Sequence, residues 1–187
     1  RLLLDAGYPV AIVPEDLLGE RLSTARLAIL SECEGLLKET EEALRHFVQD
    51  GGVLLITGQL PTSAADSFAW IGVTRERDPW QDHIYLPAWD SDGERTPVLV
   101  HGRFHCMQTA ADVEILLPAI QPYDCSFGMR FGHGTGPASL YPSDVPALVR
   151  RRVGQGSVCY LEAPIGSAYE RDGDGWQADW FRGLLER

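Results

Sequence analysis

The sequence predicts an α/β protein with a mostly parallel central sheet. Two short apolar runs, residues 27–30 and 53–56, flank a helix-patterned segment. Apolar strands joined by a helix are typical of a parallel sheet that is covered on both faces. Near the C-terminus, apolar runs at residues 146–149 and 157–161 surround Gly154-Gln155-Gly156. This pattern predicts an antiparallel hairpin, which we expect at one edge of the sheet.

Length and charge limit the possible classes of protein. The 187 residues favour one domain with a substantial core. Residues 1–7 resemble the last turns of a helix whose beginning is missing, so we expect a domain excised from a longer polypeptide. The net charge is −11 and Lys38 is the only lysine, which argues against nucleic acid as a partner. No apolar run approaches the ~20 residues of a membrane span, so a membrane partner is not expected.

The first helix between strands is predicted from side chains that recur every three or four positions and line one face. They are Leu36, Leu37, Thr40, Ala43, Leu44, Phe47 and Val48. Glu41 and Arg45 lie four residues apart on the other face. Leu37 has no capping side chain, so Glu34-Gly35 is expected to set the helix start. Gly51-Gly52 allows the left-handed backbone that ends a helix.

The remaining elements follow from shorter patterns. The apolar residues 10–13 are expected to form the first strand of the sheet. The arrangement of residues 60–121 is not predicted in detail, although residues 97–100 have the character of a strand. Residues 171–175 suit a polar loop. Residues 177–187 carry apolar side chains at helical spacing, which predicts a closing helix packed on the sheet.

The thiols are candidate catalytic groups. The cysteines are Cys33, Cys106, Cys125 and Cys159. Because no two form a C-x-x-C pair, they predict reduced thiols of a cytoplasmic protein rather than a zinc or redox site. On an α/β sheet, a nucleophile stands in a G-x-S-x-G or G-x-C-x-G turn after a strand. Cys33 lies in that place, but the preceding glycine is missing and Glu32 and Glu34 disfavour a thiolate.

Other candidate site residues are a histidine pair and a group of aromatic side chains. His101 and His105 have the spacing of metal ligands only on a helix, and no third ligand is evident nearby. We therefore expect neither a metal nor a cofactor. Trp80, Tyr85 and Trp89 have flat apolar rings that can stack on a sugar or contact a partner protein, with packing as the alternative.

The order of several segments resembles a known family. Residues 4–10, the strand ending at Ser31, residues 47–58, residues 146–149 and residues 154–160 are similar to the trimerisation domain of glycoside hydrolase family 42 β-galactosidases and related glycosidases. Each segment is weak evidence by itself, and their order and spacing together are more specific.

The resemblance implies a flavodoxin-like, three-layer fold similar to class I glutamine amidotransferases, without their catalytic cysteine, histidine and glutamate. In that family the domain follows a catalytic TIM barrel, which carries both catalytic glutamates. We therefore expect residues 1–187 to be a non-catalytic assembly domain that forms a homotrimer, with the N-terminal barrel of the same polypeptide as its partner. Leu37 and Gln155 depart from the family pattern, where a capping residue and a basic residue are usual.

Two alternatives from other functional classes stay open at this point. One is an amidotransferase-like enzyme that uses Cys33 as its nucleophile. The other is a carbohydrate-binding module that uses Trp80 and Trp89.

Overall fold

The computed structural model describes residues 1–33, 35–60, 68–76, 81–89, 97–122, 138–139, 143–173 and 175–187. Its helices are α1 (Leu2–Asp5), α2 (Leu18–Leu22), α3 (Lys38–Gln49), α4 (Ile165–Asp172) and α5 (Gly175–Leu185), with 3-10 turns at Glu15–Leu17 and Ala69–Ile71. Its strands are β1 (Leu27–Ser31), β2 (Val53–Thr57), β3 (Val73–Arg75), β4 (Gln81–Leu86), β5 (Val98–Phe104), β6 (Met107–Thr109), β7 (Glu114–Pro118), β8 (Pro146–Val153) and β9 (Gly156–Leu161).

The central sheet has five strands in the order β1-β2-β9-β8-β7. β1, β2 and β9 run parallel, with Leu27 opposite Val53 and Val53 opposite Ser157. β8 is antiparallel to β9, and β7 is antiparallel to β8. The prediction of an α/β protein with a parallel unit and a C-terminal hairpin is therefore confirmed, and the sheet as a whole is mixed.

The predicted position of the hairpin was wrong. β9 is the middle strand of the sheet and β8 is paired on both sides, so the β8–β9 hairpin does not form an edge. The reason is visible in the burial of both faces of β9, where Val158, Tyr160 and Leu161 are all 1% exposed or less. A strand that is apolar on both faces belongs inside a sheet.

Both faces of the sheet are covered, as alternate residues of β2 demonstrate. Leu54 and Ile56 belong to one apolar cluster, which includes the buried face of α3. Leu55 belongs to a second cluster, which is formed with α4, α5 and the two-stranded sheet of β4 and β5. Side chains alternate between the two faces of a strand. Each face of the central sheet is therefore covered by helix residues together with a small antiparallel sheet.

The end of α3 packs directly on the β8–β9 turn. Gly154 has a φ of 63°, and a Cβ there would lie 2.5 Å from the Gln49 carbonyl oxygen. A Cβ at Gly156 would overlap the carbonyl oxygens of Gly52 and Val48. The backbones are joined by the Gln155 N–H, which donates to the Gln49 carbonyl at 2.9 Å. The two glycines are therefore required by close approach of backbone to backbone.

The start of α3 is stabilised by a distant residue. Leu37 is the capping position and its N–H donates to Glu15 Oε1 at 2.8 Å. This contact, followed by the Thr40 side chain, lowers the pKa of the Glu15 carboxyl. The helix begins later than Glu34-Gly35 predicted, because the missing local cap is supplied by a carboxylate 22 residues away.

Three further expectations were not met. Residues 10–13 form no strand and lie outside the sheet, with Ile12 94% exposed. Glu41 is buried rather than solvated, and Trp70 Nε1–H donates to its carboxylate at 3.3 Å. The loop expected at residues 171–175 is replaced in part by helix, since α4 runs to Asp172 and α5 begins at Gly175, with Gly173 at a φ of 64°. Within the described residues, no helix is long and apolar enough to cross a membrane.

The glycine contact predicts a specific loss of stability. Gly156→Ala should destabilise the protein by about 1–3 kcal/mol or more, because the methyl group meets two carbonyl oxygens that belong to backbone. Gly19→Ala in α2 is the matched control. Nothing lies within 4 Å of a Cβ there, so alanine should stabilise slightly. Urea unfolding of both variants measures the difference, and equal stabilities would contradict the packing argument.

The Glu15 cap predicts a pH dependence. A carboxyl whose pKa is lowered by folding stabilises the protein above its unfolded pKa, and this stabilisation is lost as the pH falls through the folded value. Between about pH 5 and pH 3, unfolding free energies should fall in the wild type and fall less in Glu15→Gln. The control is Asp16→Asn, since Asp16 makes no hydrogen bond to a described residue. If the unfolding free energy of Glu15→Gln falls with pH as steeply as that of the wild type, the assignment of the effect to Glu15 is contradicted.

Candidate functional site

The carboxyl ends of the three parallel strands meet at one edge of the sheet, which we call the carboxyl edge. Ser31, Thr57 and Leu161 are the last residues of β1, β2 and β9 and lie in register. The register continues one residue further, since Glu32 N–H donates to Thr57 O and Gly58 N–H donates to Leu161 O, both at 2.9 Å. Ligands of open α/β sheets bind outside this edge, so its side chains form the candidate site.

Glu162, the first residue after β9, is the centre of a buried polar cluster. Arg75 at the end of β3 donates to Glu162 Oε1 through Nε at 3.1 Å and Nη2 at 2.9 Å. His105, between β5 and β6, donates its backbone N–H to the same oxygen at 3.3 Å, and its Nδ1 lies 3.2 Å away. The Tyr160 hydroxyl donates to Glu162 Oε2. These four residues are called the Glu162 cluster below.

Burial makes the Glu162 cluster electrostatically important. The Glu162 side chain is 4% exposed, and those of Arg75 and His105 are 15% and 13% exposed. Burial, followed by the neighbouring Glu162 carboxylate, raises the pKa of Tyr160 well above its ordinary value. The phenol therefore stays protonated and remains a donor. Both Glu162 oxygens accept hydrogen bonds from the protein itself. Because Arg75 and His105 lie in the segment between β2 and β7, these bonds attach that segment to the central sheet.

The second carboxylate of this edge belongs to Glu32. Glu32 has a φ of 51°, which makes it the one non-glycine residue with positive φ in the described part of the chain. Its Oε1 accepts the Ser167 N–H in the first turn of α4 at 2.9 Å. A sharp turn between a strand and a helix is where a nucleophile stands in related architectures. Here a carboxylate occupies the turn and is bound to the end of a helix.

Cys33 follows the turn instead of occupying its apex. Its thiol is half-buried and donates to the Gly35 carbonyl oxygen at 3.0 Å. Within the described residues, no imidazole or amine is hydrogen-bonded to Cys33. Cys106 and Cys159 are also free thiols, and burial raises the pKa of both. Cys125 lies outside the described residues.

The two histidines considered as metal ligands, and not expected to bind a metal, have different surroundings. His105 is part of the Glu162 cluster, whereas the His101 ring lies 5.8 Å from the ring of His83. No group of three or more potential ligands is found in the part of the chain that the structure describes. His101 lies within β5 and His105 directly follows it. Their side chains therefore do not meet at one site.

The predicted aromatic group is divided in the same way. One face of Trp89 stacks on Trp180 with ring centroids 5.4 Å apart, and the Arg187 guanidinium lies 4.7 Å from the Trp89 ring centroid. The Trp89 Nε1–H donates to the Trp180 carbonyl oxygen at 2.9 Å. Tyr85 lies in β4, edge to face with His83 at 6.3 Å. Trp80 lies outside the described residues. Trp89 thus packs the closing helix α5 onto β4 and the residues after it.

A cleft of about 660 Å³ lies at the opposite edge of the sheet. It is lined by residues of α2, α3 and the segments that precede β1 and β2, including Arg26, His46 and Asp50. The cleft is remote from the Glu162 cluster, because it adjoins the amino ends of the same strands. Its lining includes Ser23 and His46, and the Ser23 hydroxyl donates to the Glu20 carbonyl oxygen at 2.8 Å. The buried ionisable groups converge instead at the carboxyl ends of the strands, so we take that edge as the candidate site.

Sequence reasoning missed Glu162, Arg75 and Glu32. A usable signal was present for two of them, because Glu32 and Glu162 each follow directly after the last residue of an apolar strand. Polar residues at that place face the carboxyl edge. Arg75 and His105 gave no such signal, since only the folding of β3 and β5 back onto the sheet brings them to Glu162.

Comparisons with known proteins give structural similarity only. No protein-family model matches the sequence, and no curated protein matches it. Among solved structures, the chain is similar to α-L-fucosidase isoenzyme 2 from Paenibacillus thiaminolyticus, with a TM-score of 0.76 and 19% identity over 100% of this chain and 28% of that one. It is also similar to Gan42B, a GH42 β-galactosidase from G. stearothermophilus, with a TM-score of 0.61 and 14% identity over 100% of this chain and 24% of that one.

A third match is of a different kind. Cytoplasmic Protein STM1381 from Salmonella typhimurium LT2 has a TM-score of 0.62 and 14% identity over 99% of this chain and 83% of that one. The chain thus spans about a quarter of the length of the glycosidases and most of the length of this small protein. At these identities the similarity establishes an α/β fold that occurs as part of glycoside hydrolases.

The Glu162 cluster predicts a large effect of one conservative substitution. Glu162→Gln should destabilise the protein by about 3–5 kcal/mol, because it leaves the charge of Arg75 buried without its partner. The matched control is Glu114→Gln, which removes the partner of Arg150 from a pair of 2.8 Å whose side chains are 57% and 36% exposed. That loss should be about 0–1 kcal/mol. Urea unfolding measures both.

A second variant separates charge from shape. Adding Arg75→Met to Glu162→Gln should recover part of the stability, since the unpaired cation is then removed. If the double variant is no more stable than Glu162→Gln, the ion pair is not the source of the loss.

Proposed function

We propose that residues 1–187 form a non-catalytic assembly domain of a glycoside hydrolase related to the β-galactosidases. The catalytic TIM barrel of that enzyme would lie elsewhere in the same polypeptide. The observation that carries this proposal is the coverage of the structural matches. Solved glycosidases contain a region similar to essentially all of this chain, and that region is only 24–28% of their length.

The carboxyl edge supports a role without catalysis. On this scaffold a nucleophile would stand at the turn after β1, and that turn carries Glu32, whose carboxylate is bound to the Ser167 N–H. Glu162, the other carboxylate there, accepts hydrogen bonds at both oxygens. Each acid is thus engaged with the protein, and the thiol of Cys33 is bound to a carbonyl oxygen. These contacts stabilise the edge, and among the described residues no side-chain base is hydrogen-bonded to the Cys33 thiol.

The proposal includes a flavodoxin-like sandwich of the amidotransferase type, used as one assembly domain. The mixed sheet with helices on both faces supports this assignment. The similarity to a cytoplasmic protein of nearly the same extent supports both an independently folding unit and a cytoplasmic location. We further propose that the domain holds the parent enzyme in a homotrimer, as the family resemblance implies.

Light scattering coupled to size-exclusion chromatography tests this function on the parent polypeptide. At micromolar concentration the mass should be three times that of one chain, and deletion of residues 1–187 should reduce it to that of one chain. Hydrolysis of a β-galactoside by the remaining barrel should persist, because the catalytic glutamates are proposed to lie there. Glu114→Gln, a surface variant, serves as the control and should keep the trimer.

Two results would contradict the proposal. A monomeric parent protein would exclude the trimer. Selective alkylation of Cys33 by iodoacetamide near neutral pH, faster than that of the other thiols and with loss of an activity of this chain, would favour the alternative of a cysteine-dependent enzyme.

A further inference from the structure

Two histidine side chains lie next to each other on the β4–β5 sheet. His83 of β4 is opposite His101 of β5, and their ring centroids are 5.8 Å apart. The N–H and C=O groups of Tyr85 bond to Ile120, away from β5. In the alternating antiparallel ladder, the His83–His101 pair therefore has no backbone hydrogen bonds between its members, and side chains approach most closely at such pairs. The sheet itself holds the two imidazoles side by side.

One ring nitrogen of His83 has a partner and the other has none. His83 Nδ1 lies 2.6 Å from Asp82 Oδ1. An ionised carboxylate only accepts hydrogen bonds, so Nδ1 carries the hydrogen and Nε2 of the neutral ring has a free lone pair. His83 is 5% exposed, and its Nε2 has no hydrogen-bond partner among the described residues. Since a buried acceptor without a partner is costly, this nitrogen indicates a missing ligand.

The chemistry of the pair suits a transition-metal ion. Histidines that ligate metals commonly donate their second ring N–H to a carboxylate, which fixes the tautomer and the orientation of the ring. Asp82 makes this contact with His83. With Zn–N distances of about 2.0–2.1 Å, an ion shared by two imidazoles places their centroids roughly 5–6 Å apart. The observed 5.8 Å between His83 and His101 lies in that range.

The charges around the pair favour a cation. The Arg171 Nη2 group donates to the His101 carbonyl oxygen at 3.5 Å, and its Nε donates to Asp172 Oδ1 at 2.8 Å. The positive charge nearest to His101 is therefore balanced by Asp172. The Asp82 carboxylate adds a further negative charge beside His83. His101 is half-buried, so an ion reaches the pair from that side.

We propose that His83 and His101 together bind one Zn²⁺ ion, with Asp82 as the residue that positions His83. The part of the chain that the structure describes contains no group of three potential ligands, so water completes the coordination and the ion exchanges with solution. Bound zinc joins β4 to β5 where the ladder has no backbone hydrogen bonds. Sequence spacing does not reveal the pair, because its members come from two strands. This inference is independent of the proposed assembly function.

Titration of the full-length protein with Zn²⁺ at constant neutral pH tests the site. In NMR spectra of the histidine side-chain nitrogens, the resonances of His83 and His101 should change together and stop changing when one ion is bound. Those of His46 and His105 should stay as they are, because neither ring belongs to the pair. Unchanged His83 and His101 resonances would overturn the proposal. A change confined to other histidines, or binding by the thiols alone, would overturn it as well.

Titration calorimetry with Zn²⁺ measures the contribution of each residue. Asp82→Ala should weaken binding by about 10–100-fold, because it removes the group that orients a ligand. The Asp82 side chain is 85% exposed, so this substitution leaves the fold intact. His101→Gln, which removes a ligand, should weaken binding at least as much. His46→Gln, at an exposed histidine of α3, is the matched control and should keep the wild-type affinity.

Wild-type affinity in both Asp82→Ala and His101→Gln would overturn the site. An equal loss in His46→Gln would overturn it too, because the effect would then not belong to the pair. The mass of the parent protein, measured separately, decides the assembly function and is not changed by either result.

Discussion

The carboxylate of Glu162 is the interaction on which the arrangement of the carboxyl edge depends. It follows the middle strand of the sheet and binds Arg75 from β3, His105 from the end of β5 and Tyr160 from its own strand. These partners come from segments separated by up to 87 residues. An unpaired carboxylate at this depth would be costly, so β3 and β5 are held where they neutralise it. One buried charge thus links the small antiparallel sheets to the central one.

The same network explains why a scaffold suited to chemistry can serve a structural role. A strained turn after β1 and a buried acid after β9 are the positions at which an enzyme of this architecture would place reactive groups. Here Glu32 binds the first turn of α4 and Glu162 binds Arg75. Both groups therefore contribute to stability through contacts within the chain. The proposed assembly role agrees with this use of the edge, because such a domain needs rigidity there and no open reactive site.

Local patterns predicted the elements better than their neighbours in the sheet. The strand, helix and strand of β1, α3 and β2 followed from apolar runs and a glycine stop, since these depend on residues close in sequence. The β8–β9 hairpin was recognised by its glycine turn and then placed at the wrong position in the sheet. Its position depends on which strand pairs with β9, and β2 lies about a hundred residues earlier. Glu41 was placed on the face opposite the apolar one, and its burial was not foreseen because Trp70, which donates to it, is far away in sequence.

The amino-acid sequence determined the α/β class, the helix α3 that precedes Gly51 and the closing helix α5, because each follows from the spacing of neighbouring side chains. It also contained the two glycines that admit α3 against the β8–β9 turn, although only packing revealed the carbonyl groups they accommodate. Tertiary structure alone decided the cap that Glu15 gives to α3 and the convergence of Arg75 and His105 on Glu162. These contacts join distant residues through charge and hydrogen bonding. They produce no repeat in the sequence, so the spacing of residues does not predict them.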